Sequence, residues 1–208
     1  MNLQVPEALN IEALSFSYPD QPLFDKLSVR IPLGVSLIRC EESRGKTTLL
    51  RLLAAELMPA AGTISLNKFD SSQQTKQYRT QVFFTDPRTE TFDQISAIQY
   101  LAQVQNAFGD FDEKIIPALL EGLGLSPHQD KPLYMLSAGS KRKVWIAAAI
   151  ASGARITLID DLTAALDRGS IEFITEQLIQ IAQQCNRHFI FSHYGTLERV
   201  PYAVIIEL

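Results

Sequence analysis

The sequence predicts an α/β fold with a mostly parallel sheet, and three observations carry that expectation. Short apolar strands alternate with amphipathic helices, the pattern that builds parallel sheets through crossover connections. A glycine-containing loop, SRGKTT, lies between a strand and a helix. From about Ser96 to Gly124 the periodicity is helical throughout, which reads as a small lobe inserted into the sheet.

Each element follows from its pattern. VSLIRC, Val35 to Cys40, is a short buried strand, and KTTLLRLLAAEL places Leu49, Leu50, Leu53 and Leu57 at helical spacing. Ile64–Leu66 and Val82–Phe84 are further short strands. In the lobe, Ile98, Leu101, Ala102 and Val104 mark one helix. Ile115, Leu119, Leu120 and Leu123 mark a second, with Pro117 tolerable only in its first turn. A third helix follows Gly139, with Val144, Ala147, Ala148 and Ala151 on one side. Strand signals then return as RITLID, ending at Asp160, HFIFSH, ending at His193, and AVIIEL. Between the first two, Ile171, Ile174, Leu178 and Ile181 share a helix face.

The 208 residues suit one compact domain with a core large enough to need no disulfide or metal staple. Hydrophobic content of 46% and charged content of 20% exclude disorder and coiled coil. A formal charge of −4 gives no global basic field, so bulk attraction to nucleic acid is not expected. No apolar run reaches the ~18 residues of a membrane helix, and the start has no basic-then-apolar leader pattern. Two cysteines, Cys40 and Cys185, fit a reducing compartment, so the expected location is cytoplasmic. The three histidines and two cysteines have no metal-ligand spacing.

Chemistry concentrates at two places. Ser43, Arg44, Gly45, Lys46, Thr47 and Thr48 match the second half of a phosphate-binding loop, G-x-x-x-x-G-K-[ST]. Backbone N–H groups there form an anion nest backed by a helix N-terminus. Lys46 is placed for the terminal phosphates, and the Thr47 hydroxyl for Mg²⁺. Cys40 occupies the position of the first glycine; where φ > 0 is needed, a side chain costs about 1–2 kcal/mol or reshapes the loop. The second place is ITLIDD. Ligands of parallel sheets bind beyond the C-terminal strand ends, so Asp160 is placed to hold Mg²⁺ and Asp161 to face the terminal phosphate.

Together these motifs resemble the ATP-binding cassette (ABC) family, the motor subunits of ABC transporters. FSYPD resembles the aromatic loop, with Tyr18 on the adenine; CEESRGKTT a degraded Walker A; FFTDPR the Q-loop; LSAGS the signature; LIDD Walker B; AALD the D-loop; and FSH, ending at His193, the switch histidine. The resemblance runs in family order over almost the whole chain. It implies a P-loop NTPase core with a mostly parallel sheet, a small inserted α-helical lobe and an N-terminal β segment. The expected division is a single domain, with the core at about 1–87 and 154–208 and the lobe at about 88–153. Implied ligands are ATP and Mg²⁺. Implied partners are a second cassette, identical or different, and a separate membrane permease contacted around Thr85 to Leu101, which would hold the chain at the inner face of the cell membrane. In the family each ATP lies between the phosphate loop of one cassette and the signature of the other. Ser137 and Gly139, opening a helix without a lysine of their own, fit such a half-site. The short length and LSAG form are similar to compact cassettes such as the haem-exporter type of cytochrome c maturation.

Four departures bear on turnover. Cys40 and Ser43 replace loop glycines, Thr85 stands where the family has a glutamine that reaches Mg²⁺ and the attacking water, and Asp161 stands where it has a glutamate. Thr85, Asp161 and His193 are the expected catalytic positions, with slow hydrolysis the expected result, because misplacement by about 1 Å can cost about 10²-fold. A nucleotide-gated module without useful turnover is the competing reading. A soluble cassette acting on DNA or ribosomes is disfavoured because no coiled-coil insert or second motif set occurs. The triplet Lys141–Arg142–Lys143 reads as a solvated helix start, and Trp145 as lobe packing. If the short carboxylate at 161 limits the rate, Asp161→Glu will raise steady-state phosphate release from Mg-ATP; an unchanged rate would place the limit elsewhere.

Overall fold

The computed structural model describes residues 7–19, 21–40 and 45–208. Two strands open it, β1 (Ala8–Tyr18) and β2 (Gln21–Pro32), followed by β3 (Gly34–Arg39), α1 (Lys46–Leu53), β4 (Ala61–Leu66), β5 (Phe69–Asp70), α2 (Thr75–Arg79) and β6 (Val82–Phe84). The helical stretch comprises α3 (Ala97–Ala107), α4 (Ile116–Gly122) and α5 (Ala138–Ala151). The chain then returns to the sheet with β7 (Ile156–Ile159), α6 (Arg168–Gln184), β8 (His188–His193) and β9 (Tyr202–Glu207).

Two sheets result. β6-β7-β8-β3-β9 is parallel at every pairing among the described residues, and β2-β1-β4-β5 is antiparallel. Ile64–Leu66 is therefore a strand, but one of the antiparallel sheet, paired with β1. Strand periodicity sets which layer each side chain enters. From β3, Val35 and Leu37 face the layer of α3 to α6, while Ile38 faces α1 and the antiparallel sheet. From β8, Phe189 and Phe191 face the first layer and Ile190 the second. The parallel sheet is thus covered on both faces, as such sheets must be.

Local chemistry marks the helix ends. Ser96 and Gln99 form a reciprocal capping box at α3, and Pro117 lies in the first turn of α4, where its missing N–H is harmless. α5 buries every residue from Val144 to Ala151, so it runs through the core rather than over it. Trp145 packs edge-on to Tyr100 with ring centroids 4.6 Å apart, and lies 5.9 Å from Phe92.

At the N-terminal end of β8, away from the edge where α1 begins, His188 is fully buried. Its Nδ1 lies 3.0 Å from the Pro32 carbonyl, and its Nε2 has no partner among the described residues. Burial lowers its pKa below the ordinary 6.5. The unfolded chain then binds the extra proton first, so this contribution is complete above about pH 6.5 and is lost as pH falls through the folded value. Urea midpoints followed from pH 7.5 to 5.5 will fall more steeply for the native chain than for His188→Phe.

Candidate nucleotide site

Parallel strands bring their C-terminal ends to one edge. Arg39 pairs with His193 and Ile159 with Phe191, so the segments after β3, β6, β7 and β8 emerge side by side. There a cavity of about 290 Å³ is lined by Gly45, Lys46, Thr47, Thr48, Pro87, Arg88, Arg142, Asp160, Asp161, Ser192 and Tyr194. Three cationic side chains thus face two carboxylates.

α1 begins on Gly45, whose φ of +100° and a virtual Cβ only 3.0 Å from the Phe24 ring both require glycine. Lys46 Nζ donates to the Cys40 carbonyl at 2.9 Å and lies 4.3 Å above the centre of the Tyr194 ring. Cys40 is buried and is not among the described residues with positive φ, so the left-handed penalty considered for it does not arise. Thr47 Oγ1 donates to Asp160 Oδ2 at 2.6 Å. The other oxygen, Asp160 Oδ1, accepts from Ser192 Oγ at 2.6 Å, and Ser192 Oγ accepts from the Asp161 N–H at 2.8 Å. Asp161 has φ of +50°, a conformation that Asp and Asn enter more readily than other side chains.

The sequence-derived positions separate into groups. Gly45, Lys46, Thr47, Thr48, Asp160 and Asp161 share the cavity. Tyr18 is about two-fifths exposed, and its hydroxyl is 3.4 Å from Thr48 Oγ1. Ser43 and Arg44 lie outside the described residues. Thr85 does not line this cavity; its hydroxyl shares a 2.9 Å hydrogen bond with Tyr100, whose phenol burial pushes up to about 12. His193 is held between Thr163 Oγ1, 2.7 Å from Nε2, and the Gly195 carbonyl, 2.8 Å from Nδ1.

Ser137 caps α5, accepting from the Ser140 N–H at 3.1 Å. Gly139 has a reason to be glycine that the sequence did not disclose: a Cβ there would stand 2.4 Å from the carbonyl oxygen of Ala165. The segment containing Asp167 therefore packs directly on the opening turn of α5. Asp167 caps α6, and the Lys143 ammonium, then the bonds from Ser170, hold its carboxyl well below the usual carboxylate range.

The basic triplet is not the solvated helix start that the sequence suggested. Lys141 pairs with Asp93 at 2.5 Å, Lys143 with Asp167 at 2.6 Å, and Arg142 Nη1 donates to the carbonyls of Asp160 at 2.9 Å and Asp161 at 2.5 Å. Packing of α5 against three different segments gives each cation a partner. Sequence reasoning missed Arg142, Ser192 and Tyr194; the available signal was that they adjoin motifs already recognised.

The residues present fit a magnesium ion. Thr47 Oγ1 and Asp160 Oδ2 are hard oxygens 2.6 Å apart, and Mg²⁺ is usually held by one or two protein oxygens, with phosphate and water completing its shell. The described residues contain no cluster of three or more His, Cys, Asp or Glu that would suit an all-protein metal cage.

Comparison with known proteins matches the family model described as "ABC transporter" to residues 40–164, more than half of the chain. The chain belongs to the ABC transporter family. Among relatives, it is similar to the petrobactin import ATP-binding protein FpuD of Bacillus anthracis, 29% identical, covering 77% of this chain and 62% of that protein. It is also similar to the cytochrome c biogenesis ATP-binding export protein CcmA of Pseudomonas savastanoi, 26% identical, covering 96% and 93%. Among solved structures, a putative ABC transporter ATP-binding protein from Pyrococcus furiosus matches with a TM-score of 0.79 and 26% identity, covering 97% of both chains. The fold of this ABC-family chain is accordingly the α/β P-loop NTPase fold. No helix among its described residues is long and apolar enough to cross a membrane.

The Gly139–Ala165 contact is open to test. Gly139→Ala forces backbone to move and should cost about 1–3 kcal/mol in urea denaturation, whereas Gly109→Ala, with open space at its Cβ, should cost less than 1 kcal/mol.

Proposed function

We propose that this chain is an ATP-binding and slowly ATP-hydrolysing subunit of an ABC transporter, working with a second cassette and a separate membrane permease. The observation that carries the reading is the convergence of Lys46, Thr47, Asp160 and Asp161 on one cavity at the C-terminal edge of a parallel sheet.

Each residue has a role that its surroundings support. Lys46, whose Nζ bonds the Cys40 carbonyl and lies over the Tyr194 ring, supplies a charged donor to the triphosphate, and hydrogen bonds between ionised partners are stronger than neutral ones. Thr47 and Asp160 hold Mg²⁺, which, when bound, neutralises charge developing on the phosphates. The Asp161 carboxylate makes no hydrogen bond to any described residue and lines the cavity, so it is available to orient water on the terminal phosphate. Tyr18 supports the adenine ring. His193, braced by Thr163 and Gly195, is the switch at the end of β8. Ser137 and Gly139 receive the nucleotide of the second cassette, across an interface closed by ATP. The lobe, at about 88–153, and the segment after Phe84 face the permease and hold the chain at the inner membrane surface.

Slow turnover follows from two side chains. The Thr85 hydroxyl is engaged by Tyr100 instead of reaching toward the metal and water. Asp161 is one methylene shorter than glutamate. The Thr85–Tyr100 bond also favours a second reading, a nucleotide-gated regulatory or assembly module without useful hydrolysis. Relatives named for import and for export match at similar identity, so the direction of transport is left open.

The reading is tested with a fluorescent ATP analogue. The native chain should bind it saturably and more tightly with Mg²⁺, and Lys46→Ala should weaken that binding by at least about tenfold, the loss of one charge-assisted contact. Binding unchanged by Lys46→Ala would defeat the proposal. Phosphate release measured beside binding separates a slow ATPase from a module without turnover.

A further inference from the structure

The turn Asp160–Asp161 lies just past the last ladder pairs of β7, Leu158 with Phe84 and Ile159 with Phe191. Its polar groups are held from two sides. Ser192 on β8 takes the Asp161 N–H and donates to the Asp160 carboxylate. Arg142 on α5 donates from one nitrogen to both carbonyls, and the Asp161 carbonyl also accepts from the Ala164 N–H at 3.1 Å. A guanidinium is always charged and rigidly planar, so two carbonyls bound at one edge fix their relative orientation.

The helix that carries Arg142 is itself fixed. Lys141 ties it to Asp93 and Lys143 to Asp167, and its opening turn is the one capped by Ser137 and pressed by Ala165. Arg142 is therefore the direct polar link between the start of α5 and the two residues that carry the carboxylates. Among the described residues, the other hydrogen bonds of the Asp161 backbone, at φ +50°, are to Ser192 and Ala164.

We propose that Arg142 is a positioning residue for the metal carboxylate. It locks the Asp160–Asp161 turn so that Asp160 meets Thr47, and it makes that alignment depend on the seating of the signature end of α5. The proposal rests on the nucleotide-site reading above and deepens it. A change at the Ser137 end of α5, such as engagement of a second cassette's nucleotide, can reach the metal ligand through this side chain.

The test uses the full chain with Mn²⁺ as the metal probe. Mn²⁺ capture is followed by electron paramagnetic resonance in the presence of a non-hydrolysable ATP analogue, and analogue affinity is measured separately in EDTA. Arg142→Met should weaken Mn²⁺ capture by about tenfold or more, as loss of partners outside the metal's own ligands typically does. Analogue affinity in EDTA should stay within about twofold, and Arg142→Lys, which restores the charge and a donor nitrogen but not the planar geometry, should recover part of the metal affinity. Unchanged Mn²⁺ capture in Arg142→Met overturns the proposal. So does an equal loss of affinity in EDTA, which would make Arg142 a phosphate ligand. A lowered melting temperature with both affinities reduced alike and no recovery in Arg142→Lys would reduce it to a structural residue, and also overturns it. A native chain that binds no analogue defeats the nucleotide reading, and this inference with it; a native chain that binds while Arg142→Met captures metal normally defeats this inference alone.

Discussion

The carboxylate of Asp160 joins three elements that are remote in sequence. One oxygen is bonded to Thr47 at the start of α1 and the other to Ser192 near the end of β8, each at 2.6 Å, while Asp160 itself directly follows β7. An ionised carboxylate makes stronger hydrogen bonds than a neutral acceptor, about 1.5–3 kcal/mol each, so the edge of the sheet is stiffened where the phosphates would sit. The start of α1, the acidic turn and β8 are thus tied together at this group. Thr47 Oγ1 and Asp160 Oδ2, brought together by this contact, are the oxygens that would hold Mg²⁺.

Around that group, polar chemistry at the sheet edge is stabilised by apolar packing beneath it. The parallel sheet is buried on both faces because successive residues of β3 and β8 enter different clusters. α5 takes part in both kinds of interaction. Its last eight residues lie in the core, and its first turns carry Ser137, Gly139 and the three basic residues that grip the surrounding segments.

Two departures from the family pattern, Cys40 and Thr85, have different structural surroundings. Cys40 occupies a glycine position without positive φ, and its carbonyl still receives Lys46. Thr85 is different, because its hydroxyl is directed into the lobe against Tyr100. The contrast is one of atoms: Cys40 makes its contact with Lys46 through a backbone carbonyl, which any residue has, whereas Thr85 is engaged through its side chain.

Residue type and spacing alone singled out Lys46, the neighbouring hydroxyls and the acidic strand end, which the structure brings to one cavity, because these rest on local sequence: a strand, a tight loop, a helix start. Alternation of apolar residues likewise gave the parallel sheet and the helical insert. The antiparallel sheet was legible only as an N-terminal β segment, since β1 and β4 pair across about fifty residues and their apolar patterns name no partner. Tertiary structure decided the rest. It turned Lys141, Arg142 and Lys143 from an apparent solvent face into three tethers, gave Gly139 its reason in the carbonyl of Ala165, and brought Ser192 to the acidic turn. Hydrogen bonds of this kind depend on distances between segments far apart in the chain, and those distances exist only once both faces of the sheet are packed.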